Sequence, residues 1–148
     1  MAKILTPGSD VFLDTSYAVA LATTSDAYHA QALAVADNLE ANGTHMVTTW
    51  AVLLEIANTL SKVQYRYAAL QLLSPLQHDA NVEIVSLSGP LLQKALTLYA
   101  ERLDKEWGFT DCVSFVVMEE RGIRDALTAD EHFKQAGFRP PLREVVIG

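Results

Sequence analysis

The chain contains 148 residues, of which 50% are apolar and 20% are charged, and its formal net charge is −7. These proportions predict one globular domain over residues 1–148 with a real hydrophobic core, and the negative charge argues against a non-specific nucleic-acid coat. A single cysteine, no long apolar run and no apolar N-terminal signal predict a cytoplasmic protein that is not attached to a membrane.

The first half of the chain alternates short apolar runs with helical patterns. The predicted elements are, in order, a strand at 11–13, a helix beginning at 15, a helix at 27–39 that ends near Asn42-Gly43, a strand at 46–48, a helix at 50–60 capped by Thr49, and a helix at 65–77 that Pro75 shortens or kinks. Two strands, each followed by helices, already indicate a βαβ arrangement.

The second half continues this alternation. Its predicted elements are a strand at 82–85, a helix from Pro90 to about 102, a helix capped by Thr110, a strand at 125–127, a short helix at 130–136, and a possible final strand at 144–147. Strands that alternate with helices imply right-handed crossovers and a mainly parallel sheet covered on both faces. We therefore predict an α/β protein, a three-layer α/β/α sandwich with a mainly parallel sheet of four to five strands.

Four acidic residues lie at predicted element ends or inside an apolar helix. Asp14 follows the first strand, Asp130 follows the fourth, and Asp111 lies at the start of a helix, where the backbone amides favour an anion. The carboxyl ends of parallel strands form one edge of a sheet, so these three acids are expected to meet there. Glu55 lies in an apolar helix, where burial is costly unless a partner compensates it, and Asn58 shares its face. Clustered carboxylates repel one another, and Mg²⁺ relieves that repulsion.

Each of these residues also has a structural interpretation. Asp14 and Asp130 can cap helices, and Glu55 can pair with a basic residue such as Arg66. The histidines lack the spacing of a zinc site, and His132 is interpreted as a surface or packing residue. Four basic residues lie near the acids in sequence and are candidate phosphate contacts or part of a solvated face: Arg102, Lys105, Arg121 and Arg124.

Three segments contain the four acids: VFLDTSYAVAL, TTWAVLLEIANTL and DKEWGFTDCVSFVVMEERGIRDALTADEHFKQAGF. These segments resemble the PIN-domain family, in particular the VapC-type ribonuclease toxins of toxin–antitoxin pairs. The resemblance implies an α/β/α sandwich and a Mg²⁺ or Mn²⁺ site for RNA cleavage, formed by the matching acids Asp14, Glu55, Asp111 and Asp130. We predict that these ligands are supported by three polar neighbours: Thr15, Ser16 and Asn58.

The predicted function is therefore a Mg²⁺-dependent endoribonuclease, the toxin of a type II toxin–antitoxin pair, that leaves a 5′-phosphate and a 3′-hydroxyl. The predicted partners are RNA, a cognate antitoxin and a second copy of the chain. A receiver-like phosphorylation domain is less consistent with the sequence, because the lysine that it needs does not follow Asp130 at the right place. The alternative is an α/β module whose acidic pocket binds a metal or a partner without nuclease activity.

Overall fold

The computed structural model describes residues 4–147, which form four strands and eight helices. The strands are β1 (Val11–Leu13), β2 (Met46–Thr49), β3 (Val82–Val85) and β4 (Asp125–Leu127). The helices are α1 (Thr15–Ala22), α2 (His29–Asn42), α3 (Trp50–Thr59), α4 (Val63–His78), α5 (Gly89–Glu101), α6 (Phe109–Arg121), α7 (Glu131–Gln135) and α8 (Pro141–Glu144). No helix in this part of the chain is both long enough and apolar enough to cross a membrane.

The four strands pair only in parallel, in the spatial order β3-β2-β1-β4. The chain steps in one direction from β1 to β3 and then returns to the other side of β1. Right-handed crossovers therefore place α1 to α4 on one face of the sheet and α5 and α6 on the other. This arrangement confirms the predicted α/β/α sandwich with a parallel sheet.

The strands are mostly apolar because both faces of the sheet are covered. All three residues of β1 and all three of β4 are buried. Aromatic rings join the layers: the ring of Phe133 in α7 lies 6.1 Å from Phe12 in β1 and 4.9 Å, edge to face, from Phe115 in α6. Such pairs contribute roughly 0.5–1.5 kcal/mol beyond burial, so they hold α7 firmly against the sheet.

The adjacent strands β1 and β4 define a crevice at their carboxyl ends. The chain leaves β1 into α1 on one face, whereas it leaves β4 towards α7, which packs against α6. Adjacent strands whose connections diverge in this way form the usual ligand crevice of open parallel sheets. The residues just after β1 and β4 are therefore the place to look for a site.

The predicted final strand at 144–147 is wrong. Pro141 begins α8, which ends at Glu144, and residues 145–147 form no regular structure. The free edge of β4 is already occupied, because the backbone of Arg139 pairs beside Asp125 and its carbonyl accepts the N–H of Ala126 at 2.9 Å. The β-branched C-terminal residues thus have no strand edge left to join.

Two helix boundaries also differ from prediction. The N-cap of α6 is Gly108 rather than Thr110, because the Asp111 carboxylate turns back and accepts the Gly108 N–H at 3.1 Å. Pro75 does not shorten α4, which continues to His78. It lies in the last turn of the helix, where the loss of one backbone hydrogen bond affects only the helix end.

Candidate active site

The four predicted acids line one cleft of about 450 Å³ at the carboxyl ends of β1 and β4. The lining also contains two of the predicted supporting residues, Thr15 and Ser16. A cleft of similar volume, about 420 Å³, opens at the opposite edge of the sheet around Asp10 and His45. Volume therefore does not distinguish the candidate site from the other cleft. What distinguishes it is that all four predicted acids line the same cleft.

Asp14 is the most deeply buried of the four acids, with 3% of its surface exposed. Its Oδ2 accepts hydrogen bonds from the hydroxyls of Ser16 at 3.0 Å and Thr128 at 2.9 Å. Its Oδ1 is buried and has no partner among the described residues, and its side chain does not cap α1. Burial raises the pKa of Asp14 to about 6; the Thr128 hydrogen bond opposes this shift and the charge of Asp111 adds to it.

Thr128 is a site residue that the sequence interpretation missed. It is completely buried just after β4, and besides donating to Asp14 its hydroxyl accepts the N–H of Asp130 at 3.0 Å. Ser16 makes a similar connection, because its hydroxyl accepts the N–H of Ala129 at 2.9 Å. The two hydroxyls therefore fix the β4–α7 loop against the start of α1. The sequence signal that could have identified Thr128 is its position between the buried strand β4 and Asp130, two residues later.

Asp111 and Asp130 meet across the side chain of His132. The Nδ1 atom of His132 lies 2.8 Å from Oδ2 of Asp111 and 3.4 Å from Oδ1 of Asp130. Burial raises the pKa of Asp111, while the His132 hydrogen bond and the Gly108 N–H oppose that rise. Asp130 caps α7, since its Oδ1 accepts the N–H of His132 at 3.1 Å. The capping interpretation of Asp130 is therefore correct, but it does not exclude a second role.

His132 therefore lies within the acidic cluster. The sequence interpretation of His132 as a surface or packing residue missed this position. Asp130 is the N-cap of α7, and a residue two positions later can turn its side chain back towards the same cleft. The only sequence signal was this spacing, which is common in helix starts without any site. Ligand atoms of Asp111, Asp130 and His132 all lie within 4.8 Å of one another.

Glu55 lies on α3, where it is partly buried and lines the cleft. The suggested pairing with Arg66 is not observed, because Arg66 instead donates to the carbonyl of Ser61 at 2.9 and 3.3 Å. Asn58 is exposed and does not line the cleft, whereas Thr59 does. The residue one full turn after Glu55, rather than the one three positions on, faces the acids.

The four basic candidates lie away from the acids or are already paired. Arg102 donates to Asp104 at 2.9 and 3.0 Å, and the same carboxylate lies 4.0 Å from Lys105. Arg121 makes a bidentate pair with Glu83 at 2.8 and 2.6 Å.

Position separates two of these residues from the site. Arg121 ends the helix that Asp111 begins, and ten residues of helix span about 15 Å. Arg124 is exposed and precedes β4, so it lies at the amino edge of the sheet beside Arg121. Arg121 and Arg124 therefore lie away from the acids in space, although both precede Asp130 closely in sequence, and their role as RNA contacts stays a prediction.

The donor atoms in this cleft fit a hard divalent cation. Within the part of the chain that the structure describes, the buried Asp14 Oδ1 lacks a partner, and an isolated acceptor of this kind is costly to bury. Carboxylate oxygens are the ligands that both Mg²⁺ and Mn²⁺ prefer. The residues that would hold the ion are Asp14, Asp111 and Asp130, with Glu55 across the cleft. Their role as ligands stays a prediction.

Comparison with known proteins gives consistent results. The PIN domain model matches residues 11–139. The 23S rRNA-specific endonuclease VapC20 of Mycobacterium tuberculosis, from two strains, is 28% identical over 128 residues, which are 86% of this chain and 95% of the relative. The crystal structure of that VapC20, described as a sarcin–ricin loop cleaving toxin, superposes with a TM-score of 0.76 over 87% of this chain and 96% of the other. VapBC2 from Rickettsia felis, bound to a promoter DNA fragment, shares the fold at 16% identity and a TM-score of 0.63, over 86% and 92% of the two chains.

Proposed function

Because this chain belongs to the PIN-domain family, we propose that it is a divalent-metal-dependent endoribonuclease that acts as the toxin of a toxin–antitoxin pair. The observation that supports this proposal most directly is the convergence of Asp14, Glu55, Asp111 and Asp130 in one cleft. If these acids served only the fold, the buried Asp14 Oδ1 would be expected to have a hydrogen-bond partner, since buried polar atoms usually do. It has none among the described residues.

In the proposed reaction the residues of the chain bind the cation, orient it and accept a proton. Asp14, Asp111 and Asp130 supply oxygen ligands, and the hydroxyls of Ser16 and Thr128 keep the Asp14 carboxylate in one orientation. When bound, a divalent cation promotes ionisation of water and offsets the negative charge that develops on the phosphate. A carboxylate of the cluster then takes up the proton that the attacking water releases.

The proposed substrate is RNA, and ribosomal RNA is the first class to test. The VapC20 relatives, at 28% identity, are named as 23S rRNA-specific endonucleases. This chain carries a net charge of −7, so the whole molecule does not attract RNA strongly. Recognition therefore depends on local contacts near the cleft, and the fold alone does not define the target sequence.

The test is a cleavage assay on an RNA that contains the 23S sarcin–ricin loop, with protein freed of metal by a chelator. We expect cleavage after addition of Mg²⁺ or Mn²⁺ and none in the chelator alone. Asp111→Asn should remain folded and lose cleavage, whereas Asp37→Asn, an exposed acid on α2, should cleave like the wild type. Cation binding by the wild type without cleavage of any RNA would favour the alternative, an acidic binding module without nuclease activity.

Two protein partners complete the proposal. The toxin relatives suggest an antitoxin, and the acid cluster can pair with an arginine or lysine that such a partner inserts. A second copy of the chain is proposed on the outer surface of α3 and α4. Four large apolar side chains are exposed there: Leu54 at 56%, Val63 at 92%, Tyr67 at 74% and Leu70 at 57%. Apolar side chains exposed close together mark interaction surfaces in soluble proteins.

A further inference from the structure

We propose that His132 is a ligand of the bound cation, adding one imidazole nitrogen to a site otherwise formed by carboxylate oxygens. This inference rests on the proposed function, because it requires a cation at the acidic cluster. It goes further by assigning a ligand outside the four acids and by predicting which divalent ions the site prefers.

The first argument is the spacing of the donor atoms. Nδ1 of His132 lies 2.8 Å from Oδ2 of Asp111 and 3.4 Å from Oδ1 of Asp130, and all three ligand atoms lie within 4.8 Å of one another. In an octahedral site with bonds of about 2.1 Å, neighbouring ligand atoms are about 3 Å apart and opposite ones about 4 Å. The two distances from Nδ1 of His132 match neighbouring ligand positions on one ion.

The second argument is the way in which the imidazole is held. The backbone N–H of His132 donates to Oδ1 of Asp130, so the turn that positions the acid also positions the histidine. The next residue, Phe133, is completely buried against the sheet and α6. A side chain fixed between two carboxylates on a firmly packed turn is pre-organised for a cation, since little conformational entropy is lost on binding.

An ordinary ion pair elsewhere in the protein provides the contrast. His45 lies 3.2 Å from the single carboxylate of Asp10, and both side chains are more than 40% exposed. His132 instead faces two carboxylates beside the cleft that contains the unpartnered oxygen of Asp14. That buried oxygen is a separate indication that the cleft accommodates a cation, independent of the acidic cluster itself.

A nitrogen ligand changes the preference of the site among divalent ions. Mg²⁺ prefers oxygen ligands, whereas imidazole nitrogen is a better ligand for first-row transition-metal ions, of which Mn²⁺ is one. We expect the wild type to bind Mn²⁺ more tightly than Mg²⁺. Replacing His132 by glutamine should weaken Mn²⁺ binding by about tenfold or more and Mg²⁺ binding by less. The ratio of the Mn²⁺ affinity to the Mg²⁺ affinity should therefore be smaller in the variant than in the wild type.

The test uses the full chain, freed of metal, with MnCl₂ and MgCl₂ as the probes. Calorimetric titration gives the two affinities for the wild type, His132→Gln and the matched control His45→Gln. Electron spin-echo spectroscopy of the Mn²⁺ complex detects a directly bound imidazole through its ¹⁴N modulation. We expect this modulation in the wild type and in His45→Gln and not in His132→Gln.

The outcomes separate this inference from the proposed function. Tight Mn²⁺ binding without ¹⁴N modulation in the wild type would overturn the ligand role of His132 and leave the metal-dependent nuclease intact. No cation binding by the wild type would overturn both. If His132→Gln does not fold, a second variant tests the inference. In it, glutamine replaces the other three histidines: His29, His45 and His78. The Mn²⁺ complex of this variant keeps the ¹⁴N modulation only if the bound imidazole is that of His132.

Discussion

Asp14 is buried at the end of β1, where one carboxylate oxygen accepts two hydroxyl hydrogen bonds and the other has no partner within residues 4–147. Such a carboxylate opposes folding, because burial disfavours its ionised form. Residues of this kind concentrate at functional sites, where a ligand compensates the cost. The metal-free protein should therefore carry a measurable penalty at this single residue.

We predict that Asp14→Asn stabilises the metal-free protein in a pH-dependent way. The pKa of Asp14 is raised from 3.8 to about 6 in the folded state, so ionisation costs stability as the pH rises from about 4. Above the folded pKa the penalty is complete and reaches about 3 kcal/mol, less the cost of burying the new amide. The variant should therefore be more stable than the wild type at pH 8, and this advantage should vanish near pH 4.

Urea unfolding in the presence of a chelator, at both pH values, measures this difference. The exposed Asp37→Asn variant is the control and should follow the wild type at each pH. An Asp14→Asn protein that is less stable than the wild type at pH 8 would show that the ionised carboxylate supports the fold.

Thr128 supplies a second prediction, because its hydroxyl joins Asp14 to the Asp130 backbone. Thr128→Val keeps the shape of the side chain but removes the acceptor of the Asp130 N–H and one of the two hydroxyl bonds to Asp14, at a cost of about 1–3 kcal/mol. We expect cation affinity to fall by about tenfold or more as the Asp14 carboxylate loses its orientation. The control is Thr48→Val, which removes another buried hydroxyl, one that donates to the Leu13 carbonyl at 2.8 Å. Titration calorimetry and denaturation on both variants should show similar destabilisation but a cation defect only in Thr128→Val.

At the scale of the elements, α6 shows that nearness in sequence does not mean nearness to the acids. Asp111 and Arg121 lie at opposite ends of this helix, about 15 Å apart along its axis. Arg121 is also engaged with Glu83 on β3. We predict that Arg121→Gln changes kcat/KM on a short stem-loop RNA by no more than about twofold. A loss of tenfold or more in a correctly folded variant would place RNA at the amino edge of the sheet.

The elements also show how far the sequence determines the fold. All four strands were predictable, because buried parallel strands appear as short apolar runs between turn residues. The segment 144–147 is also rich in β-branched residues, which favour strands. It forms no strand because Arg139 already occupies the edge of β4. That contact is tertiary, so the local sequence pattern does not predict it. The start of α6 was missed for a similar reason, since its Gly108 cap depends on a bond made by Asp111 from three residues away.

The candidate site was predictable where topology determined it. Asp14 and Asp130 follow adjacent parallel strands, so their convergence follows from the sheet. Thr128 and His132 were not predictable, because their contribution depends on side-chain direction within a turn. Asn58 was wrongly included since spacing alone does not decide whether the third or fourth residue after Glu55 faces the cleft.

At the scale of the whole molecule, the exposed apolar surface of α3 and α4 predicts a dimer. Tyr67→Glu places a charge in the centre of this surface, beside Val63 and Leu70, and should convert the dimer to a monomer. The control is Leu103→Glu, at a leucine in the loop after α5 that is 88% exposed, which should leave the dimer intact. Light scattering at micromolar concentration measures both. A wild-type chain that is already monomeric there would contradict the dimer proposal.

The central claim is that the acid cleft holds a cation with which water cleaves an RNA phosphodiester bond. The most direct measurement is mass spectrometry of the products formed from a 23S sarcin–ricin RNA in H₂¹⁸O with Mn²⁺. Attack by water, with departure of the 3′-oxygen, predicts a 3′-hydroxyl and a 5′-phosphate that carries one ¹⁸O atom, and no products in chelator. Products with a 2′,3′-cyclic phosphate, or cleavage that persists in chelator, would contradict the claim, because the RNA 2′-hydroxyl would then be the nucleophile or the acids would act without a metal.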